Sequence, residues 1–537
     1  MSIIEIDKKR GRVQKGKTLF EMATTMDIAL PSSCQQQGKC KECIVEIKGG
    51  HSSLSGRTPE EEHLSANFRL ACQCRVIGEK DILCQTLERG QIFIEEDSSL
   101  SKKVSYELEP SVQKSGASVL LDGNAIDRYR GVLLGLAIDI GTTTVVLKLV
   151  DLERGTTLST SSFENPQRYA GSNVMSRILY DTKHGKKELK RVLTAHLTKA
   201  IQTMTKHPQQ IYEVVIGGNT TMRDLFFGLD VTSIGQTPYI SKSEAELRAK
   251  ETASTSLSMT GKKSQLPIHP KARVYGLPLI GSHVGADTVA TLMAIDFEME
   301  DNLIVIMDIG TNTEIVIGNR HRAVAASSPS GPAFEGGGIT FGMPALPGAI
   351  TDINIGKQGA VSFQTVNQAE AIGICGSGLI KVLSELLDKE LINEVGRLDE
   401  ESKYYITDEL YISEHDINLL AQTKGANASA LNILLKQLDI NYGAIKKFYI
   451  AGGFGKHIDI EAGIRIGLFP DIPRERFVQI GNAAIEGLVR ALLSKPKRDL
   501  YERFVQNIGL INLETDPDFF DYFVNGCLFT PLENTQV

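Results

Sequence analysis

Five of the eight cysteines lie between Cys34 and Cys74, and three of them, Cys34, Cys40 and Cys43, are spaced C-x5-C-x2-C, with Cys72 following after 28 intervening residues. Three thiolates from one loop and a fourth from a distant strand is the plant-type arrangement for an iron–sulfur cluster. The usual spacing there is C-x4-C-x2-C, so this loop carries one extra residue. Gly38 supplies a position free to take positive φ, which lets backbone amides turn toward the sulfides. Two thiols compete for the fourth place, because Cys72 and Cys74 stand two apart on what reads as a strand and would share one face. A zinc site and ordinary buried thiols are the alternatives, but zinc knuckles usually pair two C-x2-C units and only one is present. Cys84, Cys375 and Cys527 have no partner at ligand spacing and read as core thiols.

A second chemistry is written twice. Asp139-Ile-Gly-Thr-Thr, at the end of an apolar run, returns 169 residues later as Asp308-Ile-Gly-Thr-Asn. In such a turn the glycine lets amides approach phosphate oxygens, hydroxyls donate to them, and the carboxylate holds Mg²⁺ through water. One copy is weak evidence; two at the same point of two repeated units are strong, because each lobe can then grip a phosphate chain from one side. Further glycine clusters follow in Ile374-Cys-Gly-Ser-Gly-Leu379, Phe448-Tyr-Ile-Ala-Gly-Gly-Phe-Gly455 and Gly481-Asn-Ala-Ala-Ile-Glu-Gly487. For Gly376 and Gly378, close helix–strand packing is an equally good account. No G-x4-G-K-[ST] occurs, so a typical P-loop is excluded.

The elements that must position these groups are legible in outline. Residues 1–90 read as a small mixed domain: a strand at Ile3 to Ile6, a helix opening at Thr18, the cysteine loop, a strand from Cys43 to Lys48, a polar helix around Pro59 to Ser65, and strands over 70–77 and 81–87. Residues 91–130 read as a linker with at most short strands. From 131 to 537 long apolar strands alternate with helical stretches, and the polar stretch 241–265 reads as an exposed insertion. With 42% hydrophobic and 23% charged residues the 537-residue chain can bury several cores. Its net charge of −7 argues against a nucleic-acid binder. Neither a signal-peptide core nor an apolar span of ~18 residues is present, so no membrane role and a cytoplasmic location are expected.

With Arg69-Leu-Ala-Cys-Gln73 added, the N-terminal region resembles [2Fe-2S] ferredoxins of the β-grasp fold, and that resemblance selects Cys72 as the fourth ligand. The duplicated turn resembles the two phosphate motifs of the actin, sugar-kinase and Hsp70 ATPase superfamily, a duplicated RNase H-like fold. What this implies is a set of roles. Asp139 and Asp308 would orient Mg²⁺; Gly141, Thr142, Thr143, Gly310, Thr311 and Asn312 would contact the phosphates of ATP. Gly376, Ser377 and Gly378 would lie near the nucleotide, and Gly452, Gly453 and Gly455 against the nucleoside. Asp287, in Gly281-Ser-His-Val-Gly-Ala-Asp287, stands where the superfamily often positions the attacking water. An Asp in a first helical turn also suits the helix dipole. Glu335 is an alternative, and His283 reads as structural.

The whole chain in this order resembles the reductive activators of corrinoid proteins, which return cob(II)amide to cob(I)amide at the expense of ATP. It implies a corrinoid protein as partner, an external electron donor, a methyltransferase or O-demethylase setting and, by analogy, a homodimer. A carrier near −400 mV needs no ATP to pass electrons downhill, so coupling makes sense for an acceptor of lower potential. Other classes remain in view: an activator of a 2-hydroxyacyl-CoA dehydratase, a small-molecule kinase and a filament-forming actin relative. The N-terminal cysteines speak against the first and the last.

Overall fold

The computed structural model describes residues 2–32, 34–65, 67–87, 108–185, 187–250, 254–356, 359–399, 402–453 and 455–532. The expected linker therefore lies partly outside the described residues, as does Phe454 of the glycine cluster at 448–455. Two compact units emerge: described residues up to Gly276, apart from Ser254 and Thr255, form one, and those from Leu277 onward the other.

The first unit opens with a five-stranded sheet in the order Lys9–Arg12, Ile3–Ile6, Ile82–Thr86, Ile44–Gly49, Phe68–Leu70. Ile3–Ile6 runs parallel to Ile82–Thr86, and Ile44–Gly49 antiparallel to both of its neighbours. The helix Leu19–Thr25 starts where expected, because Thr18 and Glu21 cap it reciprocally. It buries Leu19, Met22 and Ala23. This is the β-grasp arrangement.

Two expectations fail here for one reason. The segment from Pro59 is a single 3₁₀ turn, Pro59–Glu61, and the strand expected over 70–77 ends at Leu70. Glu61 is fully buried and gathers the chain around itself. Its carboxylate accepts from Arg69 Nε at 2.8 Å and Nη2 at 2.9 Å, from the Leu70 amide at 2.9 Å and from the Thr58 amide at 3.0 Å. Beyond Leu70 the chain turns, with the amides of Gln73 and Cys74 both donating to Leu70 O at 2.9 Å. A local carboxylate staple has displaced both regular elements.

Residues 112–128 form a three-stranded antiparallel meander, Val112–Ser115, Ser118–Leu121 and Asn124–Arg128. Next comes a six-stranded sheet ordered Thr156–Glu164, Thr144–Asp151, Leu134–Ile140, Ile211–Gly218, Arg273–Gly276, Leu257–Thr260. The second unit repeats it: Ala323–Ser328, Thr313–Gly318, Ile304–Ile309, Lys447–Ala451 and Phe477–Gly481 occupy the same successive places. In each copy the strand third in this order leads into the Asp-Ile-Gly turn, and it pairs antiparallel with the strand named before it and parallel with the one named after it. The RNase H-like fold is thus present twice.

The stretch 241–265 is not the exposed insertion expected. Its described part contains a helix from Lys242, the strand Leu257–Thr260 and the turn Gly261–Ser264. Ser241, Ser243 and Ser264 are buried, and Ser243 Oγ accepts from the buried Arg223 at 2.8 Å. Small hydroxyls that look solvated in the sequence here satisfy a buried charge.

In the second unit the helices Ala286–Ala294 and Ala483–Leu493 touch backbone to backbone, since a Cβ built on Gly487 would stand 1.7 Å from Ala290 O. Gly487→Ala gains about 1 kcal/mol of helix propensity. Overpacking at that contact costs about 3 kcal/mol. A net loss of about 2 kcal/mol in a denaturant titration is the expected outcome.

Candidate functional site

The cysteine loop turns repeatedly. Gln35, Gln36, Gly38 and Lys41 have φ of 50°, 63°, 74° and 58°. Only at Gly38 does the turn also require a missing side chain, for an added Cβ would meet the Gln73 side chain at 3.1 Å. The winding aims amides inward: those of Gln37, Lys39 and Cys40 reach the sulfur of Cys34, and that of Gly38 reaches Cys72.

The four thiols associate two and two. Cys40 donates to Cys34, and Cys43 donates to Cys72. Cys72 is pulled down to about 6, first by the Cys43 thiol and then, against its burial, by the Gln73 amide 3.3 Å from its sulfur and the Gly38 amide. Cys43 is pushed up in return by donating to Cys72 and by burial. Among the described residues no three His, Cys, Asp or Glu side chains converge as one metal ion requires. Pairs of thiols suit two irons rather than a single tetrahedral zinc. The residues present therefore fit a [2Fe-2S] cluster.

Cys74 parts company with Cys72 because the turn after Leu70 breaks the shared face. It is wholly buried, and burial pushes its thiol up to about 12. Cys84 is likewise pushed up to about 12 by burial, and Cys527 is raised by the same cause.

The first phosphate turn is held from behind by residues the sequence reading missed. Asn165 is fully buried, donates from Nδ2 to Gly141 O at 2.8 Å and from its amide to Thr143 O at 2.7 Å. Arg177, also buried, donates to Thr142 O at 2.7 Å, and Asn219 Nδ2 to Thr142 Oγ1 at 2.8 Å. Gly217 and Gly218 end the fourth strand beside Ile140, where a Cβ on Gly218 would lie 2.4 Å from Ile140 O. Gly452 does the same in the second unit, 2.2 Å from Ile309 O. Extending the internal repeat from Ala451-Gly-Gly back to Ile216-Gly-Gly would have found this pair.

Around the second turn Asp308 faces Glu314 across the hairpin. Thr311 Oγ1 donates to Glu335 at 2.7 Å, which joins Glu335 to the turn. Glu314, not singled out from the sequence, accepts from Ser327 Oγ at 3.2 Å. Its carboxyl is raised well above the usual range by burial and by the charges of Asp287 and Asp308. Asp287, in the first turn of Ala286–Ala294, is pushed up to about 6 by burial against the pull of the Thr288 amide at 2.8 Å. Asp287 and Asp308 thus lie close enough to Glu314 for their charges to bear on it, and the three form one acidic neighbourhood around the second turn.

The remaining expectations divide. No atom comes within 4 Å of a Cβ on Gly453, whereas Gly455 is buried against Ile450. Gly376 is buried, Ser377 Oγ donates to Thr351 O at 3.2 Å, and a Cβ on Gly378 would meet Ile350 O at 2.2 Å. Helix–strand packing accounts for that cluster. His283, which reads as structural, is exposed.

Three family models match the chain in succession: a 2Fe-2S iron-sulfur cluster binding domain over 4–76, the RACo middle region over 134–300, and the C-terminal domain of RACo, the ASKHA domain, over 302–536. The corrinoid activation enzyme RamQ of Eubacterium limosum is 29% identical across 96% of this chain and 97% of its own. A [Co(II) methylated amine-specific corrinoid protein] reductase of Methanosarcina barkeri is 25% identical across 68% of this chain and 71% of its own. The solved structure of a reductive activator for corrinoid, iron-sulfur protein superposes with a TM-score of 0.71 at 25% identity, covering 99% of both chains. With its paired thiols, its duplicated phosphate turn and these matches in one order, the chain belongs to the family of reductive activators of corrinoid proteins, a [2Fe-2S] ferredoxin domain followed by an ASKHA ATPase.

Proposed function

We propose that this chain returns the cobalt of a corrinoid protein from cob(II)amide to cob(I)amide in an ATP-dependent reaction, within a methyltransferase or O-demethylase system. The observation that carries the reading is the presence, in one compact unit, of a thiol set paired for two irons and a phosphate turn braced by Asn165 and Arg177. Cys34, Cys40, Cys43 and Cys72 hold the cluster, which supplies a one-electron carrier of low potential. Gln73 and the amides of Gly38, Gln37 and Lys39 stabilise thiolate charge there.

Asp139 and Asp308 orient Mg²⁺ on ATP. Gly141, Thr142, Thr143, Gly310, Thr311 and Asn312 contact its phosphates, and Gly452 with the open Gly453 accepts the nucleoside. Asp287 takes the proton of the attacking water, since a carboxylate held near 6 is ionised at neutral pH yet basic enough to accept one. Glu335 positions Thr311. An external electron donor and a second copy of the chain complete the assembly in a cytoplasmic setting; among the described residues no helix is long and apolar enough to cross a membrane.

The test follows cobalt absorbance anaerobically with a strong reductant, a cognate corrinoid protein and ATP, ADP or a non-hydrolysable analogue. Cob(I)amide is expected in quantity only with ATP. Equal rate and yield under all three conditions would remove the coupling.

A further inference from the structure

Glu188 is the first residue of the helix Glu188–Met204 in the ATPase part of the first unit, and only 2% of its side chain is exposed. The groups around it come from both sides of a domain junction. From the ferredoxin side, Lys41 Nζ lies 2.9 Å from Oε2 and His63 Nε2 lies 3.1 Å from Oε1. From the ATPase side, Tyr180 and Tyr169 donate to Oε1 at 2.8 and 3.3 Å. Burial would raise this carboxyl, but the nearby His63 and the hydrogen bonds from Lys41 and Tyr180 hold it down at about 2.

Two placements give the contact meaning. Lys41 stands between Cys40 and Cys43, in the left-handed region that a residue with a Cβ adopts at a cost of about 1 kcal/mol or more. Its side chain ties the cluster loop to the other domain. Tyr169 belongs to the short turn Pro166–Ala170, whose cap Asn165 is the residue that donates to Gly141 O and Thr143 O of the phosphate turn. Arg168 of the same turn reaches back to Glu46, three residues past Cys43, at 2.9 Å. This five-residue turn with its cap therefore touches the phosphate site through Asn165 and the strand that follows the cysteine loop through Arg168.

A buried charge gathering donors from two domains is a poor source of stability, since apolar packing serves as well; the best-attested use of such pairs is to fix register or to switch. We infer that Glu188 is a positioning residue that latches the cluster loop to the first phosphate turn, so that nucleotide binding and cluster reduction are thermodynamically linked through Asn165, Tyr169 and Lys41. This rests on the functional reading above. Linkage is reciprocal: if nucleotide favours one oxidation state, that state binds nucleotide more tightly by the same factor.

The test uses the full-length protein with its cluster and a non-hydrolysable ATP analogue with Mg²⁺, so that no hydrolysis enters. Titanium(III) citrate supplies one electron to the oxidised cluster and becomes titanium(IV), and the midpoint potential is measured with and without analogue. In the wild type a tenfold difference in analogue affinity between oxidation states is expected, which is about 59 mV for one electron. Glu188→Gln keeps an acceptor for the tyrosines and loses the charge that holds Lys41; Lys41→Met leaves the ATPase side untouched. Both are expected to bind the analogue in the oxidised state as the wild type does, with the tenfold difference reduced to less than threefold. The double variant is expected to lose no more than either alone. A wild type that binds analogue with an intact cluster and shows no shift, or variants that keep the full shift, would overturn the latch. A wild type lacking iron, or failing to bind the analogue, would overturn the functional reading and the latch with it.

Discussion

Asp308→Asn is expected to lower Mg²⁺-dependent ATP turnover at least about 100-fold, a loss of about 2.7 kcal/mol in transition-state stabilisation, while the visible spectrum of the [2Fe-2S] cluster stays unchanged. The substitution preserves size and removes one charge. That charge belongs to the acidic group in which Glu314 is raised by both Asp287 and Asp308. Without it the cation loses a ligand or a water-mediated partner, and the phosphates lose their counter-charge at the moment negative charge moves onto the leaving oxygen. The hairpin survives, because Asp308 is set in register by the backbone pairing of Ile304–Ile309 with Thr313–Gly318. Release of phosphate by purified wild type and variant checks the outcome; an unchanged rate would show that hydrolysis occurs elsewhere.

Cys72→Ser is expected to abolish cobalt reduction while ATP turnover persists, and Cys74→Ser to leave both. A serine hydroxyl at this place cannot match a thiol whose proton is already held at about 6 by Cys43, Gln73 and Gly38. The cysteine at 74 is wholly buried and pushed up to about 12, so it stays protonated. Iron and acid-labile sulfide assays are expected to find the two of each that a [2Fe-2S] cluster contains in wild type and Cys74→Ser, and less than half in Cys72→Ser. Wild-type iron content and spectra in Cys72→Ser would move the fourth ligand elsewhere.

How much of this is legible in the sequence follows from the range of the interactions. The cysteine spacing, the Thr18 cap and the repeated Asp-Ile-Gly turn are local patterns, and each stands where the residues suggested. The turn after Leu70 was not legible, because it depends on Glu61 reaching eight residues along the chain to Arg69. Without that turn, Cys72 and Cys74 look equivalent on a strand, and only the family resemblance separated them. Glu188 was invisible for a stronger reason: its partner Lys41 lies 147 residues earlier, and neither residue is distinctive alone. Ser241 and Ser243 looked solvated because a serine's burial is decided by the charge it must satisfy, here Arg223, twenty residues from Ser243. Glu314 escaped notice as one more polar residue on a strand, until the hairpin register placed it opposite Asp308.

The Glu61 staple has a consequence for how the protein acquires and keeps its iron. In zinc fingers the metal is the core, so the apo chain is unfolded and binding energy is folding energy. Here Arg69 and Leu70, just ahead of Cys72, are fastened to Glu61, and Arg69 also donates to Ser55 O at 2.9 Å and Gly56 O at 3.1 Å. Leu19, Met22, Ile47 and Leu70 pack into the same core without touching on metal chemistry. The contacts that present Cys72 therefore involve no metal ligand, which sets this site apart from one whose metal is its core. A staple made of a carboxylate, a guanidinium and backbone amides is indifferent to oxidation, so what holds Cys72 in place does not share the chemistry of what Cys72 would bind.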